Sequence, residues 1–204
     1  MWFKALVVTL FAVSIFVRIL AFNQEGGDHL TYKQAVDEFL SGTNPYKYTV
    51  MSFETVNQKH GYAYMPTLLY IQASLVKLNG FLHLDAPTVI LWKIPVLLAD
   101  ICIGLIIYLV TTKGGYSKLV TVLGLVFWFF NPYFIMRYEY TNYETLPILF
   151  MLLTLLTIGK KEFAAGVLFA IAVSLKTFPI ILLAILLFKA KNIKNFFNRS
   201  ICSC

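Results

Sequence analysis

Apolar runs as long as a bilayer is thick leave this chain few ways to fold. A helix rises about 1.5 Å per residue, so about 20 apolar residues cross a hydrocarbon core of roughly 30 Å. Trp2–Phe22 and Thr88–Val110 reach that length, and Leu119–Met136, Leu146–Ile158 and Phe163–Phe188 add further apolar stretches. The longer runs have no polar face to give to water, which excludes a single soluble core. The balance of residues agrees: 59% are hydrophobic and 13% charged, against about 25% charged in soluble domains. The expectation is an all-α, polytopic helical membrane protein, with one membrane domain over 1–204. The first run follows Lys4, is too long for a signal-peptide core and precedes no A-x-A-like site, so it reads as a retained first transmembrane helix.

The formal charge is +7, but Lys and Arg fall in short clusters between the apolar runs. That is the pattern topology imposes, and it excludes nucleic acid as a partner. Cys102, Cys202 and Cys204 show no metal-ligand spacing.

The long polar stretch 23–87 separates the first two full-length runs. Within it, Leu30–Leu40 reads as a short amphipathic helix ended by Ser41-Gly42. Thr67–Leu78 reads as a second, opened by Pro66 and stopped by Asn79-Gly80. If Thr67–Leu78 stays on the outer surface and 163–188 forms a broken hairpin turning at Lys176–Pro179, the positive-inside rule is satisfied. Lys4, Lys113, Lys118, Lys160, Lys161 and the basic tail 189–204 then face the cytoplasm. Asp28, the loop Arg137–Thr145 and Lys176 then share the outer side.

Several residues there could carry chemistry. Asp28 lies six residues beyond the first run, behind Gly26-Gly27, where the glycines permit close approach of a ligand; the alternative is a solvated loop carboxylate. Asn142 and Glu144 share a loop with Arg137 and three tyrosines. This suits either an interfacial aromatic belt or a sugar packed on rings. Lys176, a cation in an apolar run beside a proline break, suits a phosphate. Lys93 and Asp100, two turns apart on one helix face, form an intramembrane polar pair; for Asp100 a structural contact to a neighbouring helix stays open, and Lys93, near the outer end, could simply snorkel.

Seven motifs occur in order: GDxxxYxxA at Gly27–Ala35, SGxNPY at Ser41–Tyr46, YxYMPTLLY at Tyr62–Tyr70, K-x6-D at Lys93–Asp100, FNP at Phe130–Pro132, TNYE at Thr141–Glu144 and LKTFP at Leu175–Pro179. Together they resemble the GT-C glycosyltransferases, multi-span enzymes that take sugars from polyprenyl-phosphate carriers. The nearest likeness is to the catalytic subunit of the GPI mannosyltransferase that adds the first mannose, and to related prokaryotic membrane transferases. The resemblance implies the N-terminal part of a GT-C module, with a long outer first loop carrying juxtamembrane helices. Asp28 matches the second aspartate of an outer-loop acidic pair, whose first place is taken by Gly26, so a divalent-metal D-x-D site is incomplete and no cofactor is assigned. Glu144 stands where the family has an aspartate, and Lys176 falls on its membrane lysine.

On that footing the expected activity is an inverting transfer of a hexose, mannose favoured, from a polyprenyl-phosphate donor to a hydroxyl of a lipid- or glycan-linked acceptor. Asp28 would be the general base. Lys176 with Arg137 would stabilise the leaving phosphate, and Tyr46, Tyr64, Asn142 and Glu144 would position the sugar. Membrane lipids, and in some relatives a small membrane subunit, are the other partners such an enzyme has. The location would be the plasma membrane of a prokaryote or the endoplasmic-reticulum membrane of a eukaryote. A lipid-linked sugar translocator or non-catalytic binding subunit, and an inactive truncated remnant, are the competing readings.

Overall fold

The computed structural model describes residues 2–47, 61–139 and 143–189. All regular structure among them is helical. The chain divides into two compact units, Met1–Leu146 and Pro147–Cys204.

Three helices form the apolar part of the first unit: α1 (Trp2–Leu20), α4 (Thr88–Lys113) and α5 (Lys118–Phe130). Of the described helices, α1 and α4 are long and apolar enough to cross a membrane. A tight turn joins α4 to α5, with Gly115 at φ 73° and the Ser117 hydroxyl accepting from the Val120 amide at 3.3 Å. Gly104 of α4 has no room for a side chain, because a Cβ there would overlap the Phe129 ring of α5. That contact sets how closely the two helices approach.

Two shorter helices, α2 (Gly27–Leu40) and α3 (Pro66–Phe81), pack on each other, and α3 packs on α4. Gly42 ends α2 in the left-handed region, with the Gly42 amide bonding Phe39 O and the Thr43 amide bonding Glu38 O. That is the paired hydrogen bonding of a Schellman stop. Pro66 opens α3 at a position where its missing N–H costs nothing. The helix runs past the expected Asn79-Gly80 stop to Phe81. Asn79 instead closes the following loop, donating to Ala86 O at 3.1 Å and accepting from the Ala86 amide at 3.2 Å. This holds a loop in which His83 and Asp85 both take positive φ.

The expected run Leu119–Met136 is not one helix. It breaks at Asn131, which is extended (φ −65°, ψ 121°), and α6 (Pro132–Glu139) begins beyond it. Proline disfavours the helical conformation in the residue before it, which is the physical reason for the break. The Asn131 side chain then accepts from the Tyr133 amide at 3.0 Å.

The helix α7 (Thr145–Thr157) begins in the first unit and continues in the second, followed by a turn at Gly159 (φ 88°) and α8 (Glu162–Leu175). Lys176 leaves α8 in an extended conformation (φ −157°, ψ 149°). A 3-10 turn (Phe178–Ile181) with Pro179 buried leads into α9 (Leu182–Lys189). The 163–188 stretch is thus interrupted at Lys176–Thr177.

Candidate functional site

Asp28 stands in the first turn of α2, exposed, with Gly26 as an extended N-cap (φ −92°). A carboxylate at a helix N-terminus faces unbonded amides and the positive end of the helix dipole. The Tyr64 hydroxyl donates to Asp28 Oδ2 at 3.2 Å. Tyr64 precedes α3 by two residues, so the α2–α3 pairing brings two distant motifs to one carboxylate.

A floor of aromatic rings lies behind this contact. Tyr32 is fully buried and packs edge-on against Tyr64 (5.2 Å between centroids), Tyr143 (5.6 Å), Tyr62 (6.1 Å) and Trp92 (6.4 Å). Tyr46 packs on Tyr62 at 5.6 Å and donates from its hydroxyl to Tyr64 O at 3.1 Å. Burial raises the Tyr64 phenol above its ordinary value, and the Asp28 and Glu144 carboxylates add to the rise. Tyr64 thus links Asp28, Glu144 and Tyr46, and four of the residues proposed from sequence come together around it. Burial also raises Tyr32, Tyr62 and Tyr143, so all three stay protonated at neutral pH.

Beneath that floor polar atoms are enclosed. Gln72 is fully buried, and its carboxamide faces the Tyr143 hydroxyl. Trp92 Nε1 donates to Gln72 O at 3.3 Å. His29, next to Asp28, is buried against Trp92 with ring centroids 5.0 Å apart. Its pKa is lowered by burial, which outweighs the nearby Glu25 carboxylate. Near neutral pH it is therefore an uncharged ring.

Lys93 and Asp100 are both buried and both engage the α1 segment. Lys93 Nζ donates to Ala21 O at 2.5 Å and Gln24 O at 2.6 Å, just past the end of α1. Asp100 pairs with Arg18 Nε. Arg18 Nη1 also donates to the Ser14 hydroxyl at 2.8 Å and to Phe129 O at 3.2 Å, so one guanidinium ties α1, α4 and α5. Going from Lys93 to Asp100 advances about 10 Å along α4, while their partners step back from Gln24 and Ala21 to Arg18. The two helices are therefore antiparallel at this seam. Lys93 thereby holds the carbonyls of the segment that leads directly to Asp28.

Of the other sequence candidates, Lys176 is half-buried at the interruption after α8, in the second unit. Arg137 lies in α6, and its side chain, like Asn142, is outside the described residues. Among the described residues no three His, Cys, Asp or Glu side chains gather as metal ligands. Gly26 leaves Asp28 without its partner carboxylate, so the residues present do not fit a D-x-D metal site.

Sequence reasoning missed Arg18, Tyr32, Tyr62 and Gln72 as parts of this arrangement, and placed Tyr143 only among the aromatics of its loop. Tyr32 and Tyr62 stand inside the quoted motifs, which was the available signal. Arg18, a single cation within an apolar run, was the other.

A family model describing glycosyltransferase family 87 matches residues 62–197. The chain belongs to this family. It is a membrane glycosyltransferase by that membership and by its apolar helices. No curated protein and no solved structure matches the chain. The family 87 match takes in Tyr64, Lys93, Asp100, Glu144 and Lys176, whereas Asp28 and Tyr46 precede it. The Tyr64–Asp28 hydrogen bond is what connects the matched region to the carboxylate.

Proposed function

We propose that this protein transfers a hexose from a polyprenyl-phosphate carrier to an acceptor hydroxyl at the outer face of the membrane, with inversion at the anomeric carbon. The acceptor oxygen attacks that carbon and its proton passes to Asp28. The bond from the anomeric carbon to the carrier phosphate breaks, and the phosphate leaves with the electron pair. Lys176 and Arg137 stabilise the charge that develops on the phosphate. Tyr46, Tyr64, Asn142 and Glu144 hold the sugar. The resemblance to the first-mannose GPI transferase favours mannose, and the acceptor is lipid- or glycan-linked.

The observation that carries this reading is the exposed Asp28 at a helix N-terminus, accepting a hydrogen bond from Tyr64 within the family 87 region. An exposed carboxylate backed by packed phenols has the form expected of a base that meets a hydroxyl beside aromatic rings. A translocator would use intramembrane ionisable groups such as Lys93 and Asp100 to line a transport path. Both are engaged with the α1 segment, in contacts that a helix bundle needs for itself.

Radiolabelled mannosyl polyprenyl phosphate in reconstituted vesicles separates the readings. Transfer of label to a product lacking the carrier phosphate is expected. Label that crosses the bilayer still on its carrier, without product, would replace the transferase by a translocator.

A further inference from the structure

We propose that the trough between α1 and α4, at the end of these helices remote from Asp28, binds one anionic phospholipid. A cavity of about 450 Å³ lies there, lined by Lys4, Val7, Val8, Phe11, Leu105 and Tyr108. That volume falls within the roughly 300–1,000 Å³ of small-molecule sites. Lys4, Val7, Val8 and Phe11 fall on one face of α1 at helical spacing, and Leu105 and Tyr108 do the same on α4. The walls are therefore apolar along the helix axes and end at an ammonium group and a phenol. From Lys4 to Leu20, at the other end of α1, is about 24 Å at 1.5 Å per residue. The trough is a separate site from the one at Asp28.

Charge selects the headgroup. Lys118 Nζ sits over the rings of Trp2 (5.6 Å) and Phe3 (5.9 Å), and Phe3 stacks on Tyr108 at 6.5 Å. Tyr108 also lines the trough, so Lys118 borders the same end as Lys4. Lys113 lies in the last turn of α4. Neither 2–20 nor 101–130 contains an acidic residue, so this end offers cations without counter-charges of its own. An acyl chain fits the apolar walls and a phosphodiester of net negative charge fits the lysines. A zwitterionic headgroup would bring a second cation to them. Basic pockets at the ends of transmembrane helices recognise anionic lipids on this principle, and each lysine near an anionic surface contributes about fivefold in affinity.

Native mass spectrometry of the purified full chain, given equal amounts of phosphatidylglycerol and phosphatidylcholine with the same acyl chains, tests the proposal. One phosphatidylglycerol should be retained per protein, at least about fivefold over phosphatidylcholine. Lys4→Gln should abolish most of that preference and Lys4→Arg should keep it. Val8→Trp, which fills the trough, should remove the retained lipid while the helical circular dichroism stays unchanged. Equal retention of the two lipids, unsaturated binding of several, or a preference unchanged in Lys4→Gln would overturn the site. So would loss of the preference in Lys4→Arg. None of these readouts depends on transferase activity, so the outcome stands apart from the function proposed above.

Discussion

Replacing Asp100 by leucine should be among the most destabilising single changes in the first unit. Arg18 is 1% exposed and Asp100 3% exposed, so removing the carboxylate leaves a guanidinium enclosed among α1, α4 and α5. Ser14 and Phe129 O would still accept from it, but neither carries charge. Breaking a buried pair in this way costs about 3–5 kcal/mol, whereas replacing both members by apolar residues of similar size is neutral or favourable by about 1–4 kcal/mol. Arg18→Met alone should cost a similar amount, and Arg18→Met/Asp100→Leu should recover most of it. The coupling energy of the cycle is then at least about 3 kcal/mol, or roughly two powers of ten in the unfolding equilibrium. Reversible unfolding in mixed micelles, followed by helical circular dichroism, measures all four proteins. A cost below about 1 kcal/mol for Asp100→Leu, or a double variant no better than the two singles added, would show that Arg18 and Asp100 are not coupled as a buried pair.

Alkali should destabilise the first unit. Tyr32, Tyr62 and Tyr143 are raised by burial above the ordinary phenol value of 10.0. Above about pH 10 the unfolded chain therefore releases protons that the folded chain keeps, and stability present below that pH falls as pH rises, by about 1.4 kcal/mol per pH unit for each phenol. Burial also raises Tyr46 and Tyr64, so Tyr32→Phe should reduce that slope by about a fifth to a third in melts taken between about pH 10 and 11. For topology, single cysteines at Thr43 and Asn79, introduced after the native cysteines are replaced by serine, should react with a membrane-impermeant thiol reagent from outside. One at Ser117 should react only after the membrane is opened, and outside labelling there would separate the two polar loops.

The all-helical architecture is legible in the sequence because run length and the absence of a polar face leave little else. The start of α3 is legible from Pro66, and Asp28, Tyr64 and Glu144 are each legible as candidates from their motifs, while the Tyr64–Asp28 hydrogen bond depends on the packing of α2 on α3. The partner of Asp100 is not legible. Helix periodicity sets Lys93 and Asp100 on one face of α4, but says nothing about which residue of another helix meets them, and Arg18 sits 82 residues away in sequence. The break at Asn131 has its signal in Pro132, which the hydrophobicity of the surrounding run conceals. Gln72 is a single polar residue in an apolar helix, and its enclosure with Tyr143 depends on packing that spacing alone does not encode.

If Asp28 takes the acceptor proton, the turnover of Asp28→Asn must fall. The asparagine keeps the shape and can still accept from Tyr64, but it cannot hold a proton at neutral pH. General-base catalysis is worth about 10²–10⁴ in rate. Purified Asp28→Asn, with wild-type folding and wild-type retention of the donor lipid, should therefore transfer labelled sugar at least about a hundredfold more slowly. Transfer at a near-normal rate would mean that Asp28 is not the base.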